Sequence, residues 1–299
     1  MKCNKCGREL RDTSSISQIK NCPFCEVSLN EEKTDVKLDG PGMERIKDLL
    51  SQMVKCHPGS FMMGSVAPAG ILGKILDFFG CAKKSGQQGN EIKHLVRINK
   101  DFYIAKYPVT QIQYKTVMGD NPSDSEGDNK PVDVVNWFMA KEFCDKLNEL
   151  TKSIRPTDYR FDLPTEAQWE YACRAGTTTS LNSGKDINNK SYICSNLNEV
   201  GWYRYNSDGK THPVGLKKPN AWGIYDMHGN VWEWCRDWYG DYPSDFCNDP
   251  EGPSKGSCRV VRGGNYYVNT FDCTSGFREY LDPNEVMAGY GFRLALVQV

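Results

Sequence analysis

NAWGIYDMHGNVWEWCRDWY, residues 220–239, holds four tryptophans among glycines, asparagines and acids, and has neither a long helical nor a long strand pattern. It is typical of the chain from Thr177 onward, which is rich in Gly, Pro, Asn and Trp. Only short strand-like runs interrupt that region, such as CRVVRG (258–263) and YGFRLALVQV (290–299). This pattern predicts a loop-dominated α+β domain. Its backbone polar groups need side-chain hydrogen bonds, bound ions or packed aromatics to hold them. Trp232, Trp234 and Trp238 read as core aromatics under this loop.

The region before it carries helix signals. Thr110 and Gln113 form a capping-box pattern opening TQIQYKTVMG. Asn136 suits the N-cap of WFMAKEFCDKLNEL, whose Ala140, Phe143, Cys144, Leu147 and Leu150 share one face. Thr165 and Gln168 repeat the capping box before EAQWEYACRA, which stops at Gly176. Met43, Ile46, Leu49, Leu50 and Met53 have helical spacing that begins the main domain over Met43–Val54.

The chain has 299 residues, 25% of them charged, and a formal net charge of −1. That balance argues against a nucleic-acid partner, which needs a strong positive excess. No run of 18 apolar residues spans a bilayer, and the first 30 residues lack a signal-peptide core. A cytoplasmic location is expected.

Thirteen cysteines fall into two groups. Cys3, Cys6, Cys22 and Cys25 form two CxxC knuckles, the spacing of a structural tetrahedral Zn–S4 site. The other nine read as reduced, mostly buried thiols, with one or two disulfides as the alternative. The expected organisation is a zinc-ribbon-like module over 1–30, a linker and leading helix over 31–50, and the main domain over 51–299. Within 69–80, Ile71, Leu72, Ile75, Leu76 and Phe79 fall on one helical face. This segment reads as a short packed helix or as a contact surface for a partner or a membrane. A protein is the better partner, because one lysine anchors poorly to lipid.

GSFMMGS (59–65), FYIAKYPVTQIQY (102–114), FDLPTEAQWEYACRAG (161–176), residues 220–239, RVVRGGNY (259–266) and GFRLA (291–295) occur in one order. Together they resemble the formylglycine-generating enzyme/sulfatase-modifying-factor family across most of the main domain. The resemblance implies a C-type-lectin-like fold. In the family's oxidases two cysteines after the Gly-Gly pair bind Cu(I) and convert a substrate cysteine in sulfatases. Here Val268 stands at the first cysteine's place and Cys273 at the second's, and the stretch onward to Arg278 is shorter than in the oxidases. Copper is therefore expected only under the oxidase alternative. Iron-dependent relatives need a histidine cluster, whereas His57, His94, His212 and His228 are widely spaced here.

The resemblance also implies a structural Ca2+ on Asp226, Gly229, Val231 and Glu233. The alternative is that the two acids cap loop amides directly. In retroelement-diversified variable proteins of this fold, the C-terminal segment binds ligands. The matching stretch here offers Tyr266, Tyr267, Asn269, Phe271, Phe277 and Tyr280. The expectation is a non-catalytic module that binds a protein or peptide. A copper-dependent oxidase and an accessory or structural subunit are the alternatives.

Overall fold

The computed structural model describes residues 40–65, 92–188 and 193–299. The zinc cysteines Cys3, Cys6, Cys22 and Cys25 and the amphipathic segment 69–80 lie outside the described residues. The helices are α1 (Gly40–Ser51), α2 (Gln111–Met118), α3 (Trp137–Leu150), α4 (Glu166–Arg174) and the one-turn α5 (Ser195–Asn198). The local signals act as expected. Thr110 and Thr165 both close full capping boxes, and the Asn136 side chain accepts from the Met139 amide. Two boundaries differ. Met53 and Val54 leave the helix for strand β1 (Met53–Cys56), because they pair with Ala105 and Ile104. α4 ends on Ala175, left-handed at φ 45°, one residue before Gly176.

Two four-stranded sheets organise the domain. One runs β1, β4 (Phe102–Ala105), β13 (Ala295–Gln298), β5 (Tyr159–Asp162). The other runs β11 (Arg278–Leu281), β10 (Arg259–Arg262), β8 (Trp232–Trp238), β12 (Tyr290–Gly291). A three-stranded sheet joins β2 (Gly59–Met63), β3 (His94–Ile98) and β9 (Cys247–Asn248), and β6 (Gly201–Trp202) pairs with β7 (His228–Gly229).

Side-chain alternation along the strands separates two cores. Ala105, Trp232, Trp234, Val261 and Leu296 face the core that α1, α2 and α3 cover, with Ile46 and Leu49 of α1 buried in it. Ile104, Cys235, Val260, Ala295 and Val297 face the core around Trp169 of α4. Leu181, Cys194, Leu197, Val200, Tyr203 and Cys273 form a smaller third cluster. Seven described cysteines are free, whereas Cys258 is disulfide-bonded, as the alternative reading of the scattered cysteines allowed. Among the described residues no helix is long and apolar enough to cross a membrane.

α4 brings charge into its core. Glu166, Glu170 and Arg174 are all buried, so each needs a partner. Arg278 of β11 donates to both Glu166 oxygens at 2.8 and 2.7 Å. Arg262 of β10 bonds Glu170, and Arg174 donates to the same carboxylate at 2.8 Å. Arg174 also donates to the Gly64 carbonyl at 2.9 Å, and the Gly64 amide donates to Glu170 at 2.9 Å, which ties in the end of β2.

Asp237 of β8 accepts from the Glu166 amide at 2.9 Å. Burial and then the Glu166 charge push its pKa up to about 7. This folded value lies above the unfolded one, so the protonated acid stabilises the fold at low pH, and that contribution is lost as pH rises from about 4 to 7. Asp237→Asn keeps an acceptor for the amide and removes the charge. The variant's stability should match wild type near pH 4 and exceed it by roughly 2–4 kcal/mol at pH 7, read by denaturant melts across pH. Parallel curves would contradict this assignment.

Candidate functional site

The segment after β10 is shaped by a close approach. Gly263 and Gly264 have φ of 94° and 77°, and a Cβ on Gly264 would lie 2.5 Å from the Cys273 sulfur. The buried Asn265 holds the next turn. Its amide group donates to the Gly289 carbonyl at 3.3 Å, and its oxygen accepts from the Tyr267 amide at 3.1 Å. The Gly289 amide donates in turn to buried Asp133 at 2.8 Å. Ser207 donates to the Tyr266 carbonyl at 2.6 Å, and the Tyr266 amide donates to the Asn230 carbonyl at 3.1 Å. The two tyrosine rings meet edge to face, 5.1 Å apart. Tyr205 donates to the exposed Asn269 side chain at 3.4 Å.

The six residues expected to face a ligand do not form one patch. Tyr266, Tyr267 and Asn269 lie together on the loop after Gly264, and Phe271 is half-buried in the following 3-10 turn (Phe271–Cys273). Phe277 packs on the larger core, 6.0 Å from the Trp232 ring. The Tyr280 ring lies 4.4 Å from that of Tyr239 and is tilted to it by 42°, beside Arg278, because alternation along β11 puts residues 278 and 280 on one face. Tyr205, Asn265 and Asp133 were missed by sequence reasoning. Asp133 had a signal, an acid inside the apolar run Val132-Asp133-Val134-Val135.

Cys273 has no exposed surface and sits in the apolar third cluster, with Val268 packed against it. Burial drives its thiol well above its ordinary pKa. Its carbonyl accepts from His228 Nδ1 at 2.6 Å, and the other ring nitrogen of His228 accepts from the Asn182 amide at 3.0 Å. That pairing fixes a neutral imidazole, with its pKa lowered to about 4 by burial. The imidazole thus bridges two backbone groups, and the Cys173 sulfur lies 4.0 Å from its Nε2. A cavity of about 250 Å³ lies beside the end of α4, lined by Gly64, Arg174, Thr179, Thr274 and Gly276, and includes neither Cys273 nor the paired tyrosines.

The four residues of the expected calcium loop are all buried. Asp226, left-handed at φ 56°, accepts from the Gly215 amide at 2.7 Å through one oxygen. Its other oxygen is buried without a donor, and burial raises its pKa to about 6. Gly229 has φ of 81°, and its Cβ position falls 1.9 Å from the Trp202 carbonyl, so no side chain fits there. Glu233 accepts from Arg293 at 2.6 and 2.7 Å and from the Trp169 indole at 2.6 Å. Asp226 thus has one oxygen without a hydrogen-bond partner, while Glu233 is occupied by Arg293 and Trp169. Among the described residues no three His, Cys, Asp or Glu side chains converge as a metal site.

The sulfatase-modifying factor enzyme 1-like domain model matches residues 42–297. The chaperone protein LppX of Paenibacillus barcinonensis is 32% identical over 238 residues, 65% of this chain and 79% of that protein. The mouse (Mus musculus) formylglycine-generating enzyme is 30% identical over 200 residues, 63% of this chain but only 50% of the enzyme. The chain therefore spans about half the length of that relative. Among solved structures, Treponema denticola variable protein 1 superposes with a TM-score of 0.67 at 30% identity, covering 81% of this chain and 94% of that one. The ordered motifs, the loop-rich α+β architecture and these matches agree, and the chain belongs to the sulfatase-modifying factor enzyme 1-like domain family.

Proposed function

We propose that this domain is a non-catalytic binding module that captures a protein or peptide through the loop after Gly264, as a variable protein of the family would. The observation that carries this reading is the environment of the place where an oxidase needs two thiolates. Val268 offers no donor, and Cys273 is a neutral, fully buried thiol among apolar side chains. A soft metal needs ionised sulfur within reach. Paired, partly exposed tyrosines, by contrast, give contact area at low entropic cost. The likeness to the Treponema variable protein supports the same reading.

Two measurements test it. Incubation with Cu(I), oxygen and a cysteine-containing sulfatase-type peptide should leave the peptide mass unchanged, and a loss of mass at the cysteine would restore the oxidase alternative. A pull-down from native lysate with the full chain should capture a partner, and Tyr266→Ala/Tyr267→Ala should weaken capture at least tenfold, about 1.4 kcal/mol. Capture indifferent to both tyrosines would move the binding surface elsewhere.

We also propose a structural calcium ion at Asp226, with the Gly229 and Val231 carbonyls as further oxygen ligands. The buried, unpartnered Asp226 oxygen supports this, since a cation would offset its desolvation. A bound ion stabilises the fold by about 2.7 kcal/mol at a hundredfold excess over Kd. Chelator should lower Tm, and Asp226→Asn should abolish that response. Identical melting with calcium and with chelator would instead leave the loop held by Arg293–Glu233 alone.

A further inference from the structure

The β2–β3–β9 sheet buries one face and turns the other outward. Met63, Val96 and Ile98 face the core around Trp169, and Cys247 packs against that core. A sheet with one solvated face should alternate apolar inside and polar outside. At one end it does: Ser60 stands opposite Arg97, Asn248 pairs with Arg97, and all three are exposed. At the other end it does not. Met62 stands opposite Leu95. Val96 pairs with Cys247 in parallel, so one step back along both strands Phe246 comes beside Leu95. Met62, Leu95 and Phe246 form an apolar row across the sheet, and they are 42%, 43% and 48% exposed. Ile92, two residues before β3, is 54% exposed at the same end. Single exposed apolar residues are ordinary, whereas a contiguous row marks a contact surface.

The chain itself supplies an occupant at that end. Residues 66–91 connect β2 to β3 and lie outside the described residues. Both ends of the connection, Ser65 and Ile92, leave the sheet close to the Met62–Leu95 pair. Within it Ile71, Leu72, Ile75, Leu76 and Phe79 recur at helical spacing, with Lys74 opposite. The chain from Ser65 to Ile71 reaches about 20 Å at full extension. Three strands are about 10 Å across, so the whole row lies within that reach. The cavity beside the end of α4 is also within reach, but Thr178, Thr179, Ser180 and Asp186 line it. Burying leucine and isoleucine side chains there would strip water from those polar groups without replacing its hydrogen bonds.

We propose that residues 69–80 fold back as a short helix on the outer face of the β2–β3–β9 sheet. Ile71, Leu72, Ile75, Leu76 and Phe79 then cover the row of Met62, Leu95 and Phe246. So short a helix is marginal alone in water, and packing of an apolar face is what stabilises it. The short tether keeps the segment at high effective concentration over the row. Its apolar face is thereby occupied within the chain and is presented neither to a membrane nor to a partner. The proposal is independent of the tyrosine loop as a binding surface.

The test uses the full chain in two ways. Phe246 is replaced by the photo-crosslinking analogue p-benzoylphenylalanine, which keeps an aromatic ring at an exposed position. Irradiation should join it to residues 69–80 of the same chain, at a yield unaffected by tenfold dilution. Leu72→Asp/Leu76→Asp should reduce that yield at least fivefold. Amide hydrogen exchange then follows peptides from 69–80, which should exchange at least tenfold more slowly than an unstructured chain. Met62→Ser/Leu95→Ser should remove that protection. Ile154→Ser, at an equally exposed apolar site after α3, should leave it within twofold of wild type. Should the double serine variant also free β2 and β3, the crosslink decides alone. Crosslinks that miss 69–80 or join two copies of the chain would overturn the inference. So would exchange in wild type at the unstructured rate, or protection that arises only when phosphatidylcholine/phosphatidylglycerol vesicles are added.

Discussion

Two buried glutamates on α4 set the terms for the rest of this domain. Glu166 and Glu170 sit one turn apart in a core that excludes water, where an unpaired carboxylate would cost several kcal/mol. Arg278 answers the first, and Arg262 and Arg174 answer the second. Arg174 belongs to α4 itself, but Arg262 and Arg278 come from strands far along the chain, so pairing the charges fixes the helix against the β11–β10–β8 sheet. Arg262 goes further. Its guanidinium also takes the carbonyls of Ser275 and Phe277 and lies 5.1 Å from the Trp169 ring. One fully buried side chain thus links α4, the strand before the glycine pair and the loop beyond it.

The same economy runs through the irregular half. Few residues there belong to long strands, and the backbone groups are met by side chains instead. Asn220 serves Ala172, Cys173, Trp222 and Ile224, while Asn230 bridges both backbone groups of His212. His228 and Asn265 do comparable work near Cys273 and Tyr267. Polar residues in this half therefore carry much of the backbone's hydrogen bonding. A histidine with both nitrogens engaged ties the Asn182 amide to the Cys273 carbonyl, beside a thiol packed in an apolar cluster.

Much of the frame was legible in the sequence because its determinants are local. A capping box is four residues long, and the Asn136 cap announces α3 without help from the fold. The C-terminal half read correctly as loop-dominated from its Gly, Pro, Asn and Trp content. What escaped was set by distance along the chain. Glu166, Glu170 and Arg174 have a spacing that suits a solvated helix face, and only pairing with residues about a hundred positions away reveals them as buried. Glu233 read as a calcium ligand, but its pairing with Arg293 depends on β8 and the end of the chain meeting. Tyr280 was grouped with Tyr266 by proximity in sequence, and strand alternation along β11 separated them.

The central claim is that buried pairing at α4 holds the C-terminal loop. Its most direct test is amide hydrogen exchange, read by mass spectrometry, on wild type and Arg262→Met. The substitution keeps an extended apolar side chain and removes the bonds to Glu170, Ser275 and Phe277. The account predicts lost protection in α4 and in residues 263–281, with β4, β13 and β5 as slow as in wild type. Unchanged exchange in 263–281, or a uniform loss across the domain, would contradict it.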